Sequence, residues 1–364
     1  MNSRIVRVES FVVRYPVKGT FKYTTASTRD TVVVKITDDA GFVGWGQSVP
    51  SPTWSYETTE SVQTTLDRYL GPALIGMDPF DTDAIWTVMN RTIAASYSTG
   101  QPIGKAGIDL ALFDLTGRVL QLSSFERWNR RGNRSVTLSW TLDPREIGDV
   151  EQAIIEATRR GFHHFNVKIG GDAVFDLEVC REIRRLVPAA FVWVDANGGY
   201  DLETALALAP KLADLGIAAF EQPVPANRLT AYRELCRQKA LPILMDEGIV
   251  SLADLKEFHQ LGLLNGVAMK VSRCGGLTES CRIVEYLLEH GLLFFASGLT
   301  DPDLSLAASL HLFAAYDLPF PAALNATQFL EGSILETPIR IEAGQAQVPI
   351  GHGLGVDVRE DGFF

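Results

Sequence analysis

The sequence predicts an α/β chain: a (β/α) barrel of the TIM type, preceded by an N-terminal α+β layer. Three observations carry this prediction. From about residue 134 short apolar strands alternate with amphipathic helices. The strands are apolar on both faces, as in a parallel sheet covered by helices. Polar residues recur at their C-terminal ends, Lys168, Asp195, Glu221, Asp246 and Lys270, separated by 27, 26, 25 and 24 positions. Each gap is about one βα unit, so the five side chains should meet at one barrel mouth, the face where barrel enzymes gather their catalytic groups.

The α+β layer is expected over residues 1–130. It opens with two strand-like runs, RIVRVESFVVRYPV and DTVVVKITDDAGFVGWGQ, and Asp38-Asp39-Ala40-Gly41 supplies a hairpin turn. Helical patterns follow in YETTESVQTTLDRYLGPALI, DTDAIWTVMNRTI and GKAGIDLALFDLTGRVLQ. The barrel is expected over 131–364, its C-terminal tail returning to the α+β layer. Its eight strands read as SVTLSWTL, HHFNVKIG, FVWVDANG, AAFEQPV, PILMDEG, GVAMKVS, LLFFASG and AALNATQF.

At 364 residues the chain accommodates a barrel and a smaller partner domain. Its 46% apolar and 21% charged content is that of a soluble globular protein. A net charge of −11 argues against nucleic acid as partner, because phosphate binding needs a Lys/Arg footprint. No run approaches the apolar length of a membrane span, and MNSRIVRVES lacks a secretory h-region. Cys180, Cys236, Cys274 and Cys281 form no CxxC pair and read as reduced, buried thiols of a cytoplasmic protein.

Three carboxylates from adjacent strands repel one another unless a cation joins them. Asp195, Glu221 and Asp246 offer only oxygen, and no His or Cys stands at an equivalent position. That favours Mg²⁺, with Mn²⁺ the alternative. Strands two and six lie on opposite sides of a barrel. Lys168 and Lys270 would therefore flank a substrate, one removing a proton α to a carboxylate and the other returning it. Burial and the cation are expected to lower their pKa values.

The order Lys, Asp, Glu, Asp, Lys within NVKIG, VDANGGY, FEQP, MDE and MKVSRCGG resembles the enolase superfamily, and within it the muconate lactonizing enzyme subgroup. The resemblance spans nearly the whole chain. It implies a capping domain on a (β/α)7β barrel and Asp195, Glu221 and Asp246 as Mg²⁺ ligands. It further implies Lys168 and Lys270 as acid/base lysines, Asn197 and Glu247 beside the ligands, and a homo-oligomer. Two positions depart from the pattern. Asn166 replaces the first lysine of Lys-x-Lys and is then placed to hydrogen-bond substrate. Gln47 replaces the glutamate of a Gly-x-Gly-Glu stretch, a capping-domain change read as having no catalytic meaning.

In such proteins capping loops select the substrate. Here they should be residues of about 15–30, with Phe21 and Tyr23, and of about 47–58, with Trp54. From the barrel, Asp301 ends strand seven, and Asn325 and Thr327 end strand eight. Asp303 is the better cap of the helix that follows. Asn325-Ala-Thr327 lacks the Asp-x-Asp with which dipeptide epimerases hold an ammonium group, which favours a neutral or N-blocked substrate. Of His163 and His164 at most one faces inward, and packing is the expected role. Lys105 and Asp109 read as a surface i, i+4 pair, and GHGLG (351–355) as a terminal loop.

The first functional reading is a Mg²⁺-dependent isomerase that racemises or epimerises an N-acyl or otherwise modified amino acid. The alternative is cycloisomerisation of a muconate-like diacid, or dehydration of a hydroxy acid, on the same array. A third reading, a non-catalytic binding protein on a barrel scaffold, is disfavoured by the intact array.

Overall fold

The computed structural model describes residues 3–18, 27–96 and 98–363. Phe21 and Tyr23 lie outside the described residues. A three-stranded antiparallel sheet, Ile5–Pro16, Thr28–Asp38 and Val43–Ser48, opens the chain. The Asp38 carboxylate accepts from the backbone N–H of Ala40 and Phe42 and closes the hairpin turn; Gly41 supplies the left-handed residue at φ 86°.

The helix Pro102–Leu120 is buried on all sides from Pro102 to Gly117, which explains why its sequence is apolar all round. One flank lies on the sheet at a separation that only glycine allows. A Cβ on Gly46 would stand 2.0 Å from the Gly107 carbonyl, and one on Gly44 would stand 2.2 Å from that of Ala111. The GWGQ stretch is thus a helix-docking surface. Gln47 beside it donates to Tyr15 Oη and Thr31 Oγ1 and accepts from Ser305 N, which starts a barrel helix.

Lys105 and Asp109 do not form a surface pair: both are buried. The Lys105 ammonium donates to Asn90 Oδ1 and the Ile93 carbonyl. Asp109 accepts from Trp86 Nε1 and from Thr278 N in the first turn of the barrel helix Leu277–Glu289. Four-residue spacing brings side chains to one flank of a helix, but this helix has no solvent flank there.

The barrel sheet runs in sequence order through Trp140–Leu142, Phe165–Lys168, Val192–Asp195, Phe220–Glu221, Ile243–Met245, Gly266–Met269 and Leu293–Ala296, all parallel. Residues 322 and 323 close it, bridging Leu138 on one side and Ser297 on the other. Two expected strands are therefore shorter than read. SVTLSWTL divides: Ser135–Thr137 leaves the barrel to pair with Gln345–Gln347, and only Trp140–Leu142 stays. In AALNATQF the segment Ala326–Phe329 is helical.

Side-chain alternation explains the apolar strands. Phe165, Val167, Val192, Val194, Phe220, Ile243 and Val267 face the helices within the main core. Trp193, Ala219, Leu244, Phe295 and Ala323 form a separate cluster inside the barrel. The C-terminal residues pack on the cap, where Glu360 pairs with Lys35 and Val356 and Asp357 bind Arg118. His164 packs as expected, its Nδ1 accepting from Phe191 N. The four cysteines are free thiols. Among the described residues no helix is long and apolar enough to cross a membrane.

Candidate active site and metal centre

The sheet register aligns the polar strand ends. Lys168 pairs with Asp195 and Asp195 with Glu221, so three neighbouring strands carry their functional residues in one row. Each carboxylate stands two residues beyond a member of the inner cluster, Trp193 before Asp195, Ala219 before Glu221 and Leu244 before Asp246. Period-two alternation turns all of them inward. Asp195, Glu221 and Asp246 are buried, with ligand atoms within 4.8 Å of one another.

Two lysines and an arginine balance these acids. Lys168 Nζ lies 2.5 Å from Asp195 Oδ2 and 3.3 Å from Asn197 Oδ1. Lys270 Nζ, from the opposite side, lies 2.6 Å from Asp246, 3.8 Å from Glu221 and 3.1 Å from Ser297 Oγ. Arg273 also donates to Asp246, and its other nitrogen lies 3.5 Å from the Trp54 carbonyl of the capping loop. Sequence reasoning missed Arg273, because it sits in a turn beyond the strand; its signal was a cation inside SRCGG, one turn past Lys270. It also missed Trp193, whose indole donates to Glu221 Oε2 at 2.9 Å. The inward parity of Trp193 with Asp195 could have found it.

The surroundings set Glu221 and Asp246 apart. Burial, reinforced by Asp195, holds Glu221 well above the usual carboxylate range. Burial also raises Asp246, but Arg273 and Lys270 outweigh it and leave its carboxyl low. Burial pulls the Lys168 ammonium down, yet Asp195 and Glu221 more than offset that and raise it. This direction belongs to the three acids without a cation, whose negative charge then acts on the lysine in full.

The carboxylates fit a divalent cation. All donors are oxygen, they converge, and Glu221 Oε1 is buried with no hydrogen-bond partner among the described residues. Asn197 and Glu247 stand beside them: Asn197 Nδ2 donates to Glu247 Oε1, and Asn197 N to Asp195 Oδ1. Gln222 accepts from Asp246 N. Asn197 and Gln222 adopt φ of 45° and 40°, non-glycine left-handed backbone directly next to the acids.

Above the lysines lies a small chamber of about 20 Å³, lined by Trp54, Asn166, Lys168, Lys270, Arg273 and Asn325 among others. Trp54 and Thr300 also line a larger cavity of about 430 Å³ between cap and barrel. Asn166 Nδ2 and Asn325 Oδ1 are both buried and have no partner among the described residues, while Asn325 Nδ2 donates to Thr141 Oγ1 on the strand between them.

Two expected substrate contacts are not brought to the chamber. Thr327 is exposed, because the chain turns helical after Asn325; Gln328 instead binds the Thr141 backbone. Asp301 is buried behind the chamber, accepting from Ser272 Oγ and Leu299 N. Asp303 does not cap its helix. It accepts from Tyr15 Oη, Ser333 Oγ and Ile334 N, joining cap, helix and tail.

A barrel whose strand ends gather three acids between two lysines defines an enolase-type site. The family model described as "Mandelate racemase / muconate lactonizing enzyme, N-terminal domain" matches residues 3–126, and "Enolase C-terminal domain-like" matches residues 149–362. The chain belongs to the enolase superfamily, in its mandelate racemase/muconate lactonizing enzyme group, and is an isomerase of that superfamily.

It is 30% identical to chloromuconate cycloisomerase CbnB of Cupriavidus necator, over 98% of this chain and 97% of that one. The muconate lactonizing enzyme of Pseudomonas fluorescens, solved with muconolactone, superposes with a TM-score of 0.91 at 26% identity, covering 100% and 98%. An N-succinyl-L-Arg/Lys racemase of Bacillus cereus is 24% identical over 98% and 96%. These likenesses weigh for the cycloisomerase alternative over the racemase reading.

Proposed function

We propose that this isomerase carries out lactone-forming cycloisomerisation of an unsaturated diacid, at the carbon α to one carboxylate. The observation that supports it most is the placement of Lys168 and Lys270 on opposite sides of Asp195, Glu221 and Asp246. The 30% identity to a chloromuconate cycloisomerase favours this chemistry over proton exchange at one carbon.

In this reading the three carboxylates hold Mg²⁺, or Mn²⁺. When bound, the cation supplies positive charge where the substrate carboxylate gains electron density. An oxygen of the second carboxylate adds to the conjugated double bond, and the electron pair moves toward the first carboxylate. One lysine ammonium then gives its proton to the α carbon; the other, on the far side, holds the substrate by charge. The reverse reaction returns that proton to the lysine. Asn197 and Ser297 hold the ammonium groups at their positions. Burial of the chamber strengthens each of these interactions. The proposed partners are a small carboxylate substrate and further copies of the same chain.

A second reading, racemisation or epimerisation of an N-acyl amino acid, is favoured by the Asn166–Asn325 wall. That wall is neutral and offers one donor and one acceptor without partners among the described residues, as an acyl amide requires. One experiment separates the two. The protein with Mg²⁺ is given cis,cis-muconate and, in D₂O, a panel of N-acyl amino acids. Loss of diene absorbance with lactone formation, stopped by a chelator, supports cycloisomerisation. Deuterium entering an N-acyl amino acid with muconate untouched overturns it in favour of the second reading.

A further inference from the structure

Among the described residues, Trp54 is the one capping residue that lines the chamber. It sits in a loop between the strand Val43–Ser48 and the helix Thr59–Thr65. Close behind it, Glu57 is fully buried. The two oxygens of its carboxylate accept from Ile103 N and Gly104 N, each at 2.8 Å. These N–H groups belong to the first turn of Pro102–Leu120, whose own N-cap, Gln101, makes no side-chain cap. The first N–H groups of a helix need outside acceptors, and the helix dipole favours an anion there. A loop residue thus serves the helix as its cap, and the helix in return fixes the loop.

Tyr56 adds a bond from its hydroxyl to the Thr99 carbonyl. The charged group facing Glu57 from the helix is Lys105, and Tyr56 is the titratable neighbour on its own loop. Glu57 follows Trp54 by three residues, so at most about 10 Å of extended chain separates the anchored carboxylate from the indole's backbone.

We propose that Glu57 is a positioning residue that seats Trp54 over the chamber by clamping its loop to the start of the buried capping helix. The clamp stands independently of the reaction; its effect on turnover rests on the function proposed above.

The test compares Glu57→Ala and Glu57→Gln with the unaltered chain. Trp54 fluorescence is isolated by difference from the same proteins carrying Trp54→Phe. In Glu57→Ala its emission should shift to the red and its acrylamide quenching rise about twofold, as for a locally opened segment. Glu57→Gln keeps an acceptor oxygen and should recover most of the change. With muconate as probe, KM should rise about tenfold in Glu57→Ala while kcat stays within about twofold, the pattern of lost binding without lost chemistry.

An unchanged Trp54 signal with a lowered melting temperature would overturn the inference and leave Glu57 as a helix cap alone. A changed Trp54 signal in a protein that does not turn over muconate upholds the clamp and rejects the functional reading instead. Should Glu57→Ala not fold, hydrogen exchange on the unaltered protein decides. The amides of Ile103, Gly104 and the loop should open together; protected helix amides beside a freely exchanging loop would sink the clamp.

Discussion

Lys168 and Lys270 are the residues on which the proposed chemistry turns, and each is tied to a different acid. Replacing either with Ala should lower kcat by about 100-fold or more, the usual worth of a positioned proton donor. Circular dichroism should be unchanged. A variant that keeps full activity would remove that lysine from the mechanism. Glu57 carries a prediction on stability. Burial lifts its carboxyl to about 7 despite the two N–H bonds and Lys105. A raised carboxyl favours the folded state when protonated. Its contribution is complete below the ordinary glutamate pKa and is lost as pH rises through about 7, worth about 3 kcal/mol. Lys105, lowered to about 8 by burial, works in the opposite sense, losing its contribution as pH falls through that value. Glu57→Gln should therefore flatten the fall in melting temperature between pH 5 and 7; an equal slope in both proteins would contradict this. At this scale the five strand-end residues were legible because strand spacing fixes their position. Arg273 and Thr327 were not, since turn geometry decides where their side chains go.

The elements that position the site depend on close approach of backbone to backbone. Gly46 faces the Gly107 carbonyl with no room for a methyl group. Gly46→Ala should push the helix off the sheet and cost about 1–3 kcal/mol or more, read as a lower denaturant midpoint. Because Glu57 and Asp109 tie that same helix to the Trp54 loop and to Leu277–Glu289, the variant should also disturb substrate binding. Most elements were legible from period and composition. The first and last barrel strands were over-read, because an apolar run does not reveal which neighbour its backbone will pair with. Ser135–Thr137 finds Gln345–Gln347, over 200 positions away in sequence.

For the whole molecule, the joining of cap and barrel is the decisive feature. Arg29 donates to the Pro50 carbonyl of the cap and the Leu299 carbonyl of the barrel, and Asp303 reaches Tyr15 and the tail. The acids are assembled only in the folded state, so a cation held there should stabilise the whole chain. Mg²⁺ at about 100 times its dissociation constant should add about 2.7 kcal/mol, visible as a raised melting temperature that a chelator reverses. Asp195→Asn or Asp246→Asn should abolish the shift. A melting temperature indifferent to Mg²⁺ would count against the metal site.

By itself the sequence determined the barrel, the order of acids and lysines around its mouth and the resemblance to an enolase-type enzyme. These depend on local period and on spacing along the chain, which are written in the residues. Tertiary structure alone decided that Arg273 and Trp193 join the acids, that Asp301 and Thr327 leave the chamber, and that Lys105, Asp109 and Glu57 are buried. Those outcomes depend on what packs against a side chain from distant segments, and a linear pattern carries no record of that.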